Sequence, residues 1–299
     1  MTKIELSPSF KTVSGKPLLL GTGTGTKWKD LVRADASNSK ILVDQLKLSV
    51  HKGYYHLDTA EIYGTQPEVG KALKEIDVNR EDLWVTTKYS PFSKFGPVAA
   101  LKAGFEEIGV DYVDLYLIHA NKWDGKNGYN LESAWKEVIE TKKQGLARYI
   151  GVSNFDVPAL EAVIAISKEY GDEYLPQFNQ IEFHPYLKNQ FPGLYDFCQK
   201  NSILIEAYGP LTPLIRVEEK DHPLAKILPR LSEKYGKTDS QILLRWVLQK
   251  NVLPVTTSSN EKRIEQSLEV YDFSLTEDDV KEIDSVEDEF QFRGFTFVL

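Results

Sequence analysis

Asp58 and Tyr63 stand five residues apart in YYHLDTAEIYGTQPEVG (54–70), where an apolar run gives way to the polar opening of a helix. A carboxylate and a phenol at such a join suit proton delivery, provided that something tunes the phenol. Two further polar residues close later apolar runs: Lys88 ends LWVTTK (83–88) and His119 ends VDLYLIH (113–119). A buried Lys beside an Asp stays charged, and a cation facing a phenol favours phenolate, drawing a tyrosine down from its ordinary pKa of about 10. The set therefore predicts that Asp58 holds Lys88, Lys88 tunes Tyr63, and Tyr63 gives a proton to an oxygen that His119 helps to position. Taken singly, each has an ordinary use as a helix cap, a core ring, a snorkelling cation or a hydrogen-bonded imidazole. Their joint placement is what argues for chemistry.

An alternation of elements supplies that placement. Short runs rich in β-branched and aromatic residues recur at 17–23, 54–58, 83–88, 113–119, 147–153, 177–182, 203–208 and 252–257. Between them lie segments with apolar residues three and four apart and glycine at the stop, such as SKILVDQLKLSVHKG (39–53) and NLESAWKEVIETKKQG (130–145). Strands buried on both faces and alternating with helices predict a closed (β/α)8 TIM barrel of the α/β class, one domain over 1–299. FKTVSGKPL reads as an N-terminal hairpin (8–20) around Ser14-Gly15, plugging the bottom of the barrel, and 287–299 as a C-terminal loop over the site. Reactive groups in such barrels sit at the carboxyl ends of the strands, and the tips of three adjacent strands fall within roughly 10 Å. Asp58, Lys88 and His119 occupy three such tips in succession.

Composition excludes several alternatives. A chain of 299 residues with 41% hydrophobic content can bury a core of this size. A net charge of −8 and a pI near 5.3 argue against nucleic acid as a partner. The single cysteine, Cys198, rules out an intrachain disulfide and a thiolate zinc site and fits a reducing compartment. His51, His56, His184 and His222 show no paired ligand spacing, so no metal is expected. The start MTKIELSPSFK lacks a signal-peptide core and no apolar run is long enough to span a bilayer, which predicts a cytoplasmic protein with no membrane contact. A monomer or weak dimer is expected.

With these residues in hand, the chain resembles the aldo-keto reductases along nearly its whole length. LDTAEIYGTQPEVG (57–70) is similar to the family's first signature, with Gly64-Thr65-Gln66 where Gly-Asn-Glu is common, and YLIHAN (116–121), GVSNF (151–155), NQIEFHPYL (179–187) and AYGPL (207–211) follow in the family's order. The resemblance implies that Asp58, Tyr63, Lys88 and His119 form the catalytic tetrad of an NADPH-dependent carbonyl reductase. It further implies that Ser153, Asn154 and Gln180 bind the nicotinamide carboxamide, that Tyr208 stacks on the ring, and that Gly25, Thr26, Lys27, Gly209, Pro210 and Leu211 line the cofactor. GTGTGT (21–26) is not a dinucleotide G-x-G-x-x-G turn. Near strand eight the family often has Ile-Pro-Lys-Ser, and its lysine, which helps to bind the adenosine 2′-phosphate, falls here on Thr257. Ser258, Ser259, Lys262 and Arg263 remain to take that phosphate at a helix N-terminus.

LPVTTSS and GTGTKWK resemble the fungal branch that reduces α-keto amides, conjugated polyketones and ketopantoyl lactone. Substrate selection is expected from Trp28, Trp123, Phe292, Phe295 and Phe297 as apolar pocket wall around a small carbonyl substrate. An aldehyde- or aldose-type reductase is the alternative within the family, and two rivals differ in class. A cofactor-binding regulatory β-subunit predicts tight binding and negligible turnover. A barrel enzyme using Lys88 as a Schiff-base nucleophile predicts a substrate adduct on Lys88 and no need for NADPH, and Asp58 argues against it by keeping the lysine protonated.

Overall fold

The alternation closes on itself. In the computed structural model, which describes residues 10–295, eight parallel strands form a barrel in sequence order: β1 (Gly21–Gly23), β2 (His56–Asp58), β3 (Trp84–Tyr89), β4 (Val113–Ile118), β5 (Ala147–Ser153), β6 (Phe178–Glu182), β7 (Leu204–Tyr208) and β8 (Val252–Thr256). β1 pairs with both β2 and β8, which leaves no open edge. β3 and β4 are buried along their full length, since helices cover one face and lumen side chains fill the other. The strands run shorter than the apolar runs that announce them: β1 begins at Gly21, not Pro17, and β2 at His56, not Tyr54. The leading apolar residues enter the core from loops, as Leu18, Leu20 and Tyr54 do.

Local signals set the helix ends. Gly53 stops the helix Ser37–Lys52 at φ 110°, a conformation that a side chain would strain. Asn130 caps Leu131–Lys143 by accepting from the Ser133 amide, and Thr238 caps Asp239–Gln249 in the same way through Gln241.

The N-terminal turn forms over its described part: Lys11 bridges Pro17 antiparallel and Gly15 takes φ 88°. Phe10 packs on Phe178 and Tyr149 at 4.5 and 5.3 Å between ring centroids, at the amino ends of the strands, so an aromatic plug closes the barrel floor. At the other terminus, Glu277–Glu289 is helical, so the loop expected from 287 begins at Phe290. Ile283 and Val286 form the helix's buried stripe, and the acidic residues around them hid the last turn's periodicity. Phe297 lies outside the described residues.

Candidate active site

Asp58 ends β2, and the chain turns at once into a short 3-10 segment, Glu61–Tyr63, that Gly64 terminates at φ 68°. The turn is pinned from outside. The Glu61 carboxylate accepts from the Ser90 amide at 3.0 Å and from the Ser93 hydroxyl, tying it to the loop after β3. From the β1 side, Gly25 lies against the Tyr63 ring so closely that a Cβ there would fall 2.9 Å from it.

The four expected residues converge. Lys88 Nζ donates to both Asp58 oxygens, at 2.7 and 2.8 Å, and to the Thr59 carbonyl at 2.9 Å. The lysine is 1% exposed. Burial alone would lower its pKa, but Asp58 and Tyr63 outweigh that and raise it, so Lys88 is a cation. Its Nζ lies 5.0 Å from the Tyr63 ring centroid, and the Tyr63 hydroxyl lies 3.3 Å from His119 Nε2. Burial pushes His119 well below the ordinary histidine value and Lys88 pushes it the same way, leaving a neutral imidazole.

Tyr63 departs from expectation. Although it keeps some accessible surface, the protein packed around it raises its pKa above the ordinary tyrosine value; Lys88 opposes the rise and Asp58 adds to it. The cation moderates a donor that burial has made weaker, rather than bringing it below 10.

The residues expected at the cofactor gather on the same rim. Ser153 Oγ donates to the Gln180 carbonyl at 2.7 Å. Asn154, at φ 60°, donates from its amide to the His119 carbonyl (3.0 Å) and Ser153 Oγ (3.1 Å), while its oxygen accepts from Tyr208 (2.9 Å) and Gln190 (3.2 Å). Gln180 Nε2 donates to Asp58 Oδ2 at 2.8 Å and Glu206 Oε2 at 2.9 Å. Its oxygen has no donor among the described residues, which leaves it able to accept a further N–H. Gly209 turns the chain after β7 at φ 63°, Pro210 is buried, and Leu211 packs on the core.

Loops from opposite ends of the sequence meet above the β1–β8 pair. Lys27 Nζ donates to Ser259 Oγ at 3.2 Å, next to Thr26 at φ 42°. Arg263 is exposed, its Nε 3.4 Å from Ser258 Oγ, and Asn260 caps its helix, Glu261–Leu268, with the exposed Lys262 in the same first turn. A flexible cation pair at a capped N-terminus fits a phosphate.

Trp28 requires a correction: it is not on the pocket wall. It is 1% exposed, packs with Leu42, Leu46 and Val69, and its indole N–H donates to Thr257 Oγ1 at 3.0 Å. Thr257 thus anchors a core tryptophan, a use that a lysine at that position could not supply. Trp123 is half-buried after β4, its N–H on Asn121 Oδ1 at 2.8 Å. Phe292 donates its amide to the Tyr186 carbonyl at 3.2 Å, and Phe295 meets the Tyr208 ring edge-on at 5.3 Å.

Several residues that organise the site were not singled out from sequence. Glu182 binds the Gly294 amide at 2.6 Å and the Phe295 amide at 3.3 Å. Gln190 links Arg293, which donates to its carbonyl at 2.6 Å, to Asn154. Glu206 lies beside Gln180, in register with it on β7. The signal for the strand residues was present as alternation: Gln180, Glu182 and His184 recur every second residue, and Glu206 stands two before Tyr208.

Residues 17–288 match the family model described as Aldo/keto reductase family. The chain is 44% identical over 273 residues to an NADPH-dependent alpha-keto amide reductase of Saccharomyces cerevisiae, covering 89% of this chain and 86% of that one. It is 37% identical over 245 residues to an NAD/NADP-dependent indole-3-acetaldehyde reductase of Schizosaccharomyces pombe, covering 82% and 84%. Among solved structures, a Bombyx mori aldo-keto reductase in complex with NADP superimposes with a TM-score of 0.79 at 28% identity, over 96% of this chain and 94% of that one. The closed eight-stranded barrel agrees with these matches, and the chain belongs to the aldo/keto reductase family.

Proposed function

We propose that this enzyme is an NADPH-dependent carbonyl reductase whose Tyr63 protonates the substrate oxygen, and that its substrates are α-dicarbonyls, α-keto lactones or α-keto amides. The observation that carries the reaction is the cluster of Asp58, Lys88, Tyr63 and His119 at one barrel mouth, with a protonated lysine behind the phenol and a neutral imidazole 3.3 Å from it. When bound, NADPH supplies the hydride. Tyr63 supplies the proton, Lys88 stabilises the phenolate left behind, and Asp58 keeps Lys88 charged and in place. His119, uncharged, offers a hydrogen-bonding nitrogen beside the same oxygen. Gln180 presents its free oxygen to the carboxamide, with Ser153 and Asn154 beside it. Asn154 has four hydrogen bonds already, so it serves the carboxamide by releasing Tyr208 or Gln190. Ser258, Ser259, Lys262 and Arg263 take the 2′-phosphate.

The ammonium of Lys88, committed to Asp58 and Thr59, has no lone pair for a Schiff base, which disfavours that chemistry. The substrate class is supported by the name of the yeast relative at 44% identity. Loss of NADPH absorbance over a panel of aldehydes, α-keto lactones, α-keto amides and diketones tests it. An α-dicarbonyl is expected to exceed xylose or glucose by at least about tenfold in kcat/KM, roughly 1.4 kcal/mol of transition-state binding. Preference for an aldose over every dicarbonyl would refute the substrate class and leave the tetrad chemistry standing.

A further inference from the structure

The reaction above uses the upper layer of the barrel mouth and leaves a buried carboxyl directly beneath it without a task. Glu206 is 0% exposed in the middle of β7, two residues before Tyr208 and therefore on the same, lumen-facing side. It lies in register with Gln180 on β6. The two hydrogens of the Gln180 amide go to two carboxyls, Asp58 Oδ2 at 2.8 Å and Glu206 Oε2 at 2.9 Å, so these carboxyls fix which way the amide points and turn its oxygen away from them. Glu206 Oε1 has no hydrogen-bond partner among the described residues. His56 Nε2 is 3.9 Å from it but already bonded to Thr86 Oγ1 at 3.0 Å.

The charges around Glu206 do not balance if it ionises. β2 contributes Asp58 and His56, and burial drives His56 down to about 4, so it is neutral. β3 contributes Lys88, the one cation acting on Glu206 among the described residues, and Asp58 holds it. Asp114 on β4 is paired outward with Arg80 and with Arg148 of β5, at 2.8 and 2.6 Å. Glu182 lies further along β6, Tyr208 further along β7, and Tyr63 and His119 at the mouth; β1 and β8 contribute no titratable side chain. With Asp58 and Lys88 already a neutral pair, a second carboxylate is an uncompensated buried charge.

We propose that Glu206 is a charge-switching positioning residue beneath the nicotinamide site: protonated, it holds Gln180 and leaves the layer neutral; ionised, it favours the cationic oxidised nicotinamide over the neutral reduced one. The inference rests on the NADPH reading above. Burial, reinforced by Asp58, pushes Glu206 up to about 8, so the switch lies in the mildly alkaline range. Its proton exchanges with solvent, and no other group changes composition. Below the switch the site favours NADPH, the form that reduction consumes. Above it, NADP+ is held more tightly and the release of oxidised cofactor slows.

Two measurements on the wild type and on Glu206→Gln test this, one of them without cofactor. Thermal unfolding of the cofactor-free protein reads the proton. Between a carboxyl's ordinary value and about pH 8 only the folded state keeps it, so wild-type stability relative to Glu206→Gln falls from about pH 5 to about pH 8 and then levels. Parallel curves would overturn the proposal. Fluorescence titration with NADPH and with NADP+ at about pH 6.5 and about pH 9.5 then reads the charge. The 2′-phosphate is common to both cofactors and cancels in the ratio of dissociation constants. That ratio, NADPH over NADP+, is expected to rise at least about fivefold with pH in the wild type and less than about twofold in Glu206→Gln. Glu206→Met, of similar volume and unable to ionise, gives the same flat ratio and frees the test from one variant's folding. A wild-type ratio that stays flat, or a shift that survives in both variants, would overturn the switch. Failure of both cofactors to bind would instead sink the NADPH reading, while the thermal measurement would still report on Glu206.

Discussion

Tyr63, the proposed proton donor, is made weaker by burial and then restrained by a neighbouring cation, and the balance explains why Lys88 must be charged. Burial raises the phenol, and although it would lower the ammonium, Asp58 and Tyr63 outweigh it and strengthen the lysine's hold on its proton. Replacing Tyr63 by Phe removes the proton while keeping the ring that packs against Gly25. We expect Tyr63→Phe to lower kcat for carbonyl reduction by at least about a hundredfold, the usual scale for a lost general acid, with NADPH affinity by fluorescence titration preserved. Near-wild-type turnover would remove Tyr63 from the mechanism. At the proposed phosphate end of the cofactor site, the Arg263 side chain is exposed with only a long contact to Ser258 among the described residues, so it can swing onto a phosphate. Arg263→Ala should therefore weaken NADPH by about 1.5–3 kcal/mol and leave NADH nearly unchanged; equal losses would assign the phosphate to another group. These residues were legible because each ends an apolar run or falls in a recognisable motif. Glu206, Glu182 and Gln190 were not, since alternation shows only that a polar residue faces the lumen, whereas its role depends on partners brought there by other strands.

At the scale of elements, the sequence announced strands and helices through periodicity but blurred their edges. Apolar residues such as Leu18 and Tyr54 read as strand because they are buried, yet they enter the core from loops where no ladder exists. Trp28 was misplaced for a related reason: an aromatic in a polar loop looks like pocket wall until its N–H is seen to reach Thr257 across the β1–β8 seam. The tail is more firmly attached than its composition suggests. The Glu182 carboxylate grips two consecutive amides, Gly294 and Phe295, and Phe295 lies so close to Gly209 that a Cβ there would come within 2.6 Å of its ring. Charge-assisted bonds of this kind are worth about 1.5–3 kcal/mol each. Glu182→Ala should therefore loosen the tail from Gly294 onward, raising KM for bulky diketones or lactones by several-fold, roughly 1 kcal/mol of lost rim contact, while a small aldehyde is barely affected. Because Phe295 also touches Tyr208, a modest loss of NADPH affinity should accompany it. Equal effects on large and small substrates would show that the tail does not shape the rim.

At the scale of the molecule, the barrel has one seam where its beginning meets its end. β1 pairs with β8 through only two residues of register, Gly21 with Val255 and Thr22 with Thr256. Two side-chain bonds continue the closure above the ladder: Trp28 to Thr257 at 3.0 Å and Lys27 to Ser259 at 3.2 Å. The residues proposed for the cofactor straddle this seam, with Gly25, Thr26 and Lys27 on one side and Ser258, Ser259 and Arg263 on the other. A ligand bridging them binds only the closed barrel, so its affinity adds directly to the stability of the fold. At a free NADPH concentration about a hundredfold above its Kd, the stabilisation is about 2.7 kcal/mol, which for a chain of this size raises Tm by roughly 5 °C. NADH at the same concentration should give a visibly smaller rise, because only NADPH carries the 2′-phosphate that Arg263 is proposed to take. Differential scanning fluorimetry of the wild type and Arg263→Ala with each cofactor checks the coupling: the variant should lose most of the difference between NADPH and NADH. If the difference survived the substitution, the seam would still bind cofactor, but its phosphate reader would have to be Lys262 or Lys27.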